Sequence, residues 1–559
     1  MRRKRFLGGL VAAAGAPAAV RAVQGAADLI VVGGTIHTVD EAYPAPTAFA
    51  VRGDRFIYVG AIADAMALRG PSTLVLDAGG RTILPGLIDA HCHLTHVGLN
   101  LSEVDLYHLR SFDAIVERAK TFAQASPDAW ILGDGWDQNL WRGKAFPTHA
   151  ALSAAIPDRP VALSRVDGHA VLANARAMAL AGIERSTPDP PGGRILRDAH
   201  GNPTGVFIDT AQGLVYDHVP KPTHDQLVRA TRAAIAECNR WGITAVGEPG
   251  MNESVMAAHA ELIERDEYSI RNYAMLSDDA KLIDAHLRRG IVDGEHNGRF
   301  WIRAIKMFAD GALGSRGAAL LAPYADDPKN SGLIVTPQAH MTEVTQKALR
   351  GGFQVCVHAI GDRANRMVLD AYETALRRTG MGGEPRLRIE HVQVIAPSDI
   401  PRLARLGIIA SMQTTHQISD MGWAQARLGS ERILGAYAWR SLLDTGVIIA
   451  NGTDAPVESV STLSTFHAAI SRQNEADQPA GGWYPAQRMS RREALASMTI
   501  WASRANFQEG VIGSITPGKY ADFVVMDRDW MLVAPEAIMQ TNIVSTYFGG
   551  RRVYRADST

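Results

Sequence analysis

Cysteine is nearly missing: Cys92, Cys238 and Cys356 are the only three in 559 residues. So odd and sparse a set builds no disulfide framework. An excess of charge of one sign is missing too, since 57 Lys and Arg offset 58 Asp and Glu for a net charge of −1. That excludes a global pull towards nucleic acid or an anionic membrane surface. Beyond residue 26 no apolar run approaches the roughly 18 residues of a membrane span, so no stable membrane insertion is expected after leader removal. No Gly-x-Gly-x-x-Gly follows an early strand, which argues against a dinucleotide-binding open sheet. No internal repeat is evident, and no low-complexity segment outside the N-terminus.

That N-terminus opens Met1-Arg2-Arg3-Lys4-Arg5, continues in an Ala/Gly-rich apolar run over 6–20, and offers small residues around Ala22 and Ala26 for cleavage. This is the build of a secretory signal peptide over 1–26. It implies export to the bacterial periplasm or the outside of the cell. Residues 3–7, Arg-Lys-Arg-Phe-Leu, resemble a twin-arginine signal, although the order departs from Arg-Arg-x-Phe-Leu.

Segments 27–84 and 507–559 read as short strands with glycine turns at Gly33-Gly34, around Gly53-Asp54 and at Gly549-Gly550. Two β segments at opposite chain ends can form one small β-sandwich. The middle, 85–506, alternates short apolar runs with Ala/Arg/Leu-rich helical stretches, the pattern of a parallel sheet. At this length a (β/α)8 TIM barrel is the leading choice. Strand candidates are 86–90, 130–133, 161–164, 243–247, 302–308, 354–357, 387–390, 408–412 and 447–451. That is one too many, and the surplus is expected within an insertion between Trp130 and Ser164.

His91 and His93 follow the apolar run 83–90; two residues apart on a strand, they would face one way. The chain has 18 histidines, so one His-x-His pair means little by itself. Position strengthens it, because Lys306, His358, His391 and Asp454 all stand at or near the ends of other candidate strands. In a parallel barrel those ends converge on one face. Four histidines and a carboxylate suit a divalent ion, zinc above manganese, iron or nickel. Lys306 inside an apolar strand is costly to bury charged. It forms a salt bridge, for which Asp310 is a candidate, or snorkels to the surface, or is neutral and able to take up CO2. His96, three residues after His93, should not share its face. Cys92 and Cys356, in apolar runs, read as packing residues rather than nucleophiles.

Several segments together resemble the amidohydrolase superfamily: Pro85-Gly-Leu-Ile-Asp-Ala-His-Cys-His, the Lys306 strand leading to Asp310-Gly-Ala-Leu-Gly-Ser-Arg, Val357-His-Ala-Ile-Gly-Asp-Arg-Ala-Asn, Glu390-His-Val-Gln and Gly452-Thr-Asp-Ala-Pro. More narrowly, they resemble its amidohydrolase-3 branch of YtcJ-like and N-substituted formamide deformylase-like proteins. Gly133-Asp-Gly-Trp-Asp, Asp167-Gly-His-Ala and Gly513-Ser-Ile-Thr-Pro-Gly-Lys also match that branch. The resemblance implies two metals. His91, His93 and Asp454 would hold one, His358 and His391 the other, with Lys306 as N6-carboxylysine between them. One-metal members also exist. It also implies Trp136, His169 and Arg316 as residues near the substrate.

The expected activity is hydrolysis of a non-peptide carbon–nitrogen bond in a small molecule. A metal-bound hydroxide would attack, and Asp454 would move the proton. An ester, lactone or phosphoester hydrolase on the same scaffold, and a non-catalytic binding or regulatory protein, are the alternatives. The expected partner is a small-molecule substrate, with no nucleic acid, and a homo-oligomer is compatible with the sequence.

Overall fold

The computed structural model describes residues 25–107, 109–165, 170–190, 193–314, 316–380 and 384–557. The signal-peptide segment therefore lies outside the described residues, apart from residues 25 and 26. Among the described residues no helix is long and apolar enough to cross a membrane.

Eight strands form one continuous sheet: β1 (Leu87–Asp89), β2 (Ile243–Met251), β3 (Arg271–Ser277), β4 (Phe300–Phe308), β5 (Gln354–Ala359), β6 (Arg388–His391), β7 (Ile409–Gln413) and β8 (Ile449–Gly452). Every neighbouring pair among these eight is parallel, and a short ninth strand, Val292–Gly294, pairs antiparallel with β4. The sheet curls until Ala90 N–H donates to Asn451 O at 3.0 Å, which brings β1 against β8. This is a (β/α)8 barrel. Its strands are covered on both faces, so they read as nearly continuous apolar runs. β4 is buried throughout except at Arg303 and Phe308.

Two of the nine candidate strands lie elsewhere. Residues 130–133 and 161–164 belong to strands Ile131–Trp136 and Val161–Arg165 of a separate six-stranded sheet spanning Val104–Asp105 to Pro203–Asp209. This insertion between β1 and β2 is larger than the sequence suggests and has its own apolar core. The missed barrel strand is β3. Its polar start hides it: Arg271 is buried because it pairs with Asp522 at 2.6 and 2.9 Å, and Asn272 because it donates to Glu248 at 2.5 Å. Sequence periodicity cannot register a polar residue whose partner is distant.

The chain ends form two further sheets. One has the order Arg55–Gly60, Ala48–Arg52, Ala27–Val32, Arg69–Asp77. The other joins Thr35–Ile36 and Thr82–Pro85 to the C-terminal strands Phe523–Met526, Ile543–Phe548 and Arg551–Arg555. Leu29, Phe49, Ile83, Phe523 and Tyr547 share one core between them. Gly33-Gly34 does not close a hairpin, contrary to the sequence reading. Strand 27–32 pairs within the first sheet and 35–36 within the second, so the glycines carry the chain across. Gly53 and Gly549-Gly550 do sit in hairpin turns, at φ of +59°, +55° and +74°, where L side chains are strained.

Candidate metal centre

β1 ends at Asp89, so His91 and His93 lie just past it, in the turn that enters helix Leu94–Leu101. Backbone pairing with the end of β8 places them: Asp454 N–H donates to His91 O at 2.7 Å, and His93 N–H to Ala455 O at 2.9 Å. The Asp454 carboxylate then reaches both rings, with Oδ1 3.4 Å from His91 Nε2 and 3.3 Å from His93 Nε2. Its other oxygen lies 3.9 Å from His391 Nδ1 and 3.7 Å from His416 Nε2. Asp454 and His391 hold left-handed backbone, φ +60° and +78°. Such conformations cluster where function over-determines the chain.

The remaining predicted ligands join this cluster. The His358 ring lies 4.6 Å from that of His391, and the His91 ring 5.0 Å from it. His358 Nε2 is buried without a hydrogen-bond partner among the described residues. Lys306 is 1% exposed, its Nζ 3.3 Å from His91 Nε2 and 4.7 Å from the centre of the Phe308 ring. Among the described residues no carboxylate lies within ion-pair distance of it. The salt bridge to Asp310 is absent, because Asp310 instead accepts from the backbone N–H groups of Ala319, Ile360 and Gly361 at 2.8–3.0 Å.

Protonation states follow from burial. Burial, then Lys306, drives the His91 imidazole down to about 4. Burial and His358 hold His391 well below the usual histidine range. Burial opposes ionisation of Asp454, but the surrounding histidines outweigh it and keep the carboxyl well below its usual range. Burial also lowers the Lys306 ammonium. Neutral imidazoles, an ionised carboxylate and a lysine biased towards its free amine are the forms that bind a metal and take up CO2. Two donor groups, His91/His93/Asp454 and His391/His416/Asp454, each draw within 4.8 Å. The residues fit a divalent ion.

The sequence reading missed the residues behind this cluster. His91 Nδ1 donates to Glu390 Oε2 at 2.6 Å, which leaves the Nε2 lone pair facing the centre. Arg388 holds Glu390 from Nε and an Nη nitrogen at 2.8 and 3.0 Å. His391 Nδ1 is held by Gln413 Oε1 at 2.8 Å, and the same nitrogen is the one nearest Asp454. A carboxylate or amide behind a ligating histidine sets its tautomer. Alternation along β6 puts Arg388 and Glu390 on one face, a charged pair in a buried strand and the one signal in the sequence. No spacing rule points to His416.

Trp136 is fully buried in the inserted sheet, its indole N–H donated to Leu163 O at 2.7 Å. Arg316 is bound to Asp326 at 2.9 and 3.1 Å. His169 is outside the described residues. His96 is helical, its ring 5.8 Å from that of His93. It lines a cavity of about 640 Å³ with Thr95, Leu99, Glu248, Met251 and Lys281, beside the cluster rather than over it. Cys92, Cys238 and Cys356 are all buried and unbridged. Burial raises the Cys356 thiol far above its usual range, so it is no nucleophile.

Comparison with known proteins gives a consistent set. The amidohydrolase family matches residues 74–554. Protein LONG AFTER FAR-RED 3 of Arabidopsis thaliana is 35% identical over 549 residues, 94% of this chain and 92% of its own length. N-substituted formamide deformylase of Arthrobacter pascens is 27% identical over 554 residues, 94% of this chain and 97% of its own. A crystal structure of an uncharacterized metal-dependent hydrolase from Pyrococcus horikoshii superposes with a TM-score of 0.76 at 27% identity, covering 91% of this chain and 99% of that one.

Proposed function

Because the chain belongs to the amidohydrolase family, we propose that this metal-dependent hydrolase cleaves the carbon–nitrogen bond of a small non-peptide amide. One observation carries the reading: a single carboxylate, Asp454, lies within 4.0 Å of four histidines at the barrel's C-terminal mouth. Similarity to a formamide deformylase supports the amide class.

His91, His93 and Asp454 would hold one ion, and His358 and His391 the other. Zinc, when bound, supplies Lewis acidity to water and to the substrate carbonyl. The chain's own work is positioning and proton transfer. Glu390 keeps His91 in the metal-facing tautomer, and Gln413 orients the His391 ring. Asp454 accepts the proton of the attacking water and returns it to the departing nitrogen, so amide and water become acid and amine. Lys306, as a free amine, would add CO2 and lose a proton, and the resulting carbamate would offer the site anionic oxygen donors.

Elemental mass spectrometry on protein purified without chelators tests the centre. About two ions per chain are expected, falling in Lys306→Ala. One ion unaffected by that change removes Lys306 from the site. A panel of N-aryl formamides and acetamides against p-nitrophenyl esters tests the bond; turnover of the esters alone would overturn the amide reading.

Export belongs to the same proposal, supported by the basic and apolar build of 1–26. Expression in a bacterial host should yield periplasmic protein with its N-terminus near Ala26. Full-length chain confined to the cytosol would exclude cleavage.

A further inference from the structure

His416 stands at the foot of helix Thr414–Asp420, just past β7. It is 7% exposed, and its ring stacks on that of His391 at 5.9 Å with 22° between planes. Nε2 points into the metal cluster. It lies 3.7 Å from Asp454 Oδ2, beyond hydrogen-bond length, and has no hydrogen-bond partner among the described residues. Distance alone would make His416 a third donor beside His391 and Asp454.

The opposite edge of the ring argues otherwise. His416 Nδ1 lies 3.0 Å from Gln393 Nε2. An amide nitrogen donates and does not accept, so Nδ1 is the acceptor and the ring proton sits on Nε2. His91 is the reverse, because its Nδ1 faces Glu390 Oε2, which only accepts, and its Nε2 faces Asp454. The His91 ring presents a lone pair to the centre, whereas His416 presents an N–H. A nitrogen that carries its proton cannot ligate a metal. A buried N–H without an acceptor is costly and calls for a ligand.

We infer that His416 is a catalytic hydrogen-bond donor, its Nε2–H directed at the carbonyl oxygen of the substrate, and not a metal ligand. The role rests on the hydrolase reading above. As water adds to the carbonyl carbon, the C=O electron pair moves onto the oxygen. A donor already oriented in a buried site is worth most at that moment. When the C–N bond breaks, the pair returns to C=O and the leaving nitrogen takes its proton from Asp454. The His416 proton is shared throughout and never transferred.

The test uses the zinc-loaded full chain with formanilide as probe. His416→Ala should keep wild-type zinc content and affinity while kcat falls by about 10²–10³-fold. His416→Gln restores an N–H and should recover at least about tenfold of that, with KM little changed. Loss of an ion in His416→Ala, or an undiminished kcat, would overturn the assignment. Neutron diffraction of the zinc-loaded wild type in D2O decides the tautomer even if formanilide is not turned over. Deuterium on Nε2 is expected. Deuterium on Nδ1, or zinc bonded to Nε2, overturns this inference and leaves the hydrolase reading standing.

Discussion

Asp454→Asn should keep the fold and lose about 10²–10⁴-fold in kcat, the usual worth of a positioned acid–base group. The carboxamide fills the same space, and asparagine tolerates left-handed backbone better than most residues, which matters at φ +60°. The Asp454 N–H bond to His91 O is a backbone contact and survives. What disappears is the anion that faces four histidines and would carry the proton from water to leaving group. Circular dichroism and thermal melting close to wild type, beside collapsed amide turnover, are the expected results. Near-normal turnover would remove Asp454 from the mechanism. Asp454→Ala is the poorer probe, because alanine adds backbone strain to the chemical loss.

Arg388→Met should cost about 3–5 kcal/mol of stability, the price of stranding one member of a buried ion pair. Arg388 is fully buried and donates to Glu390, Ala90 O, Ser411 and Asn506 at 2.7–3.0 Å. Burial opposes ionisation of Glu390, and Arg388 is the main charge that overrides it. Without Arg388 the carboxyl would take up a proton, and its grip on His91 Nδ1 would change. Metal affinity should therefore fall by about 10–100-fold as well, the usual effect of losing a group that orients a ligand. Lysine would not rescue, since it lacks the forked donors. Arg388→Met/Glu390→Gln should regain much of the stability, as no charge is left stranded, but not the metal affinity. Urea midpoints and chelator competition separate the two effects. A single variant as stable as wild type would show the pair to be dispensable.

The contrast between β3 and β4 shows how far local pattern reaches. β4 is legible as a strand because nearly all its side chains are apolar, and Lys306 is conspicuous as the exception. β3 is illegible because Arg271 and Asn272 look like surface residues until Asp522 and Glu248, 251 and 24 positions away, are brought beside them. The same limit divides the site. His91, His93, Lys306, His358, His391 and Asp454 stand out because each closes or interrupts an apolar run, and parallel strands end on one face. Glu390 is visible only as one more charge beside Arg388. His416 carries no periodic signal at all.

The sequence by itself determined the alternation of strands and helices, and with it the barrel and the set of polar residues at its mouth. Both depend on local spacing and side-chain type. The tertiary structure alone decided which imidazole presents a lone pair and which an N–H. A histidine's tautomer depends on whether its far nitrogen meets an acceptor, as His91 does at Glu390, or a donor, as His416 does at Gln393. Those partners come from other strands and turns and meet only when the barrel closes.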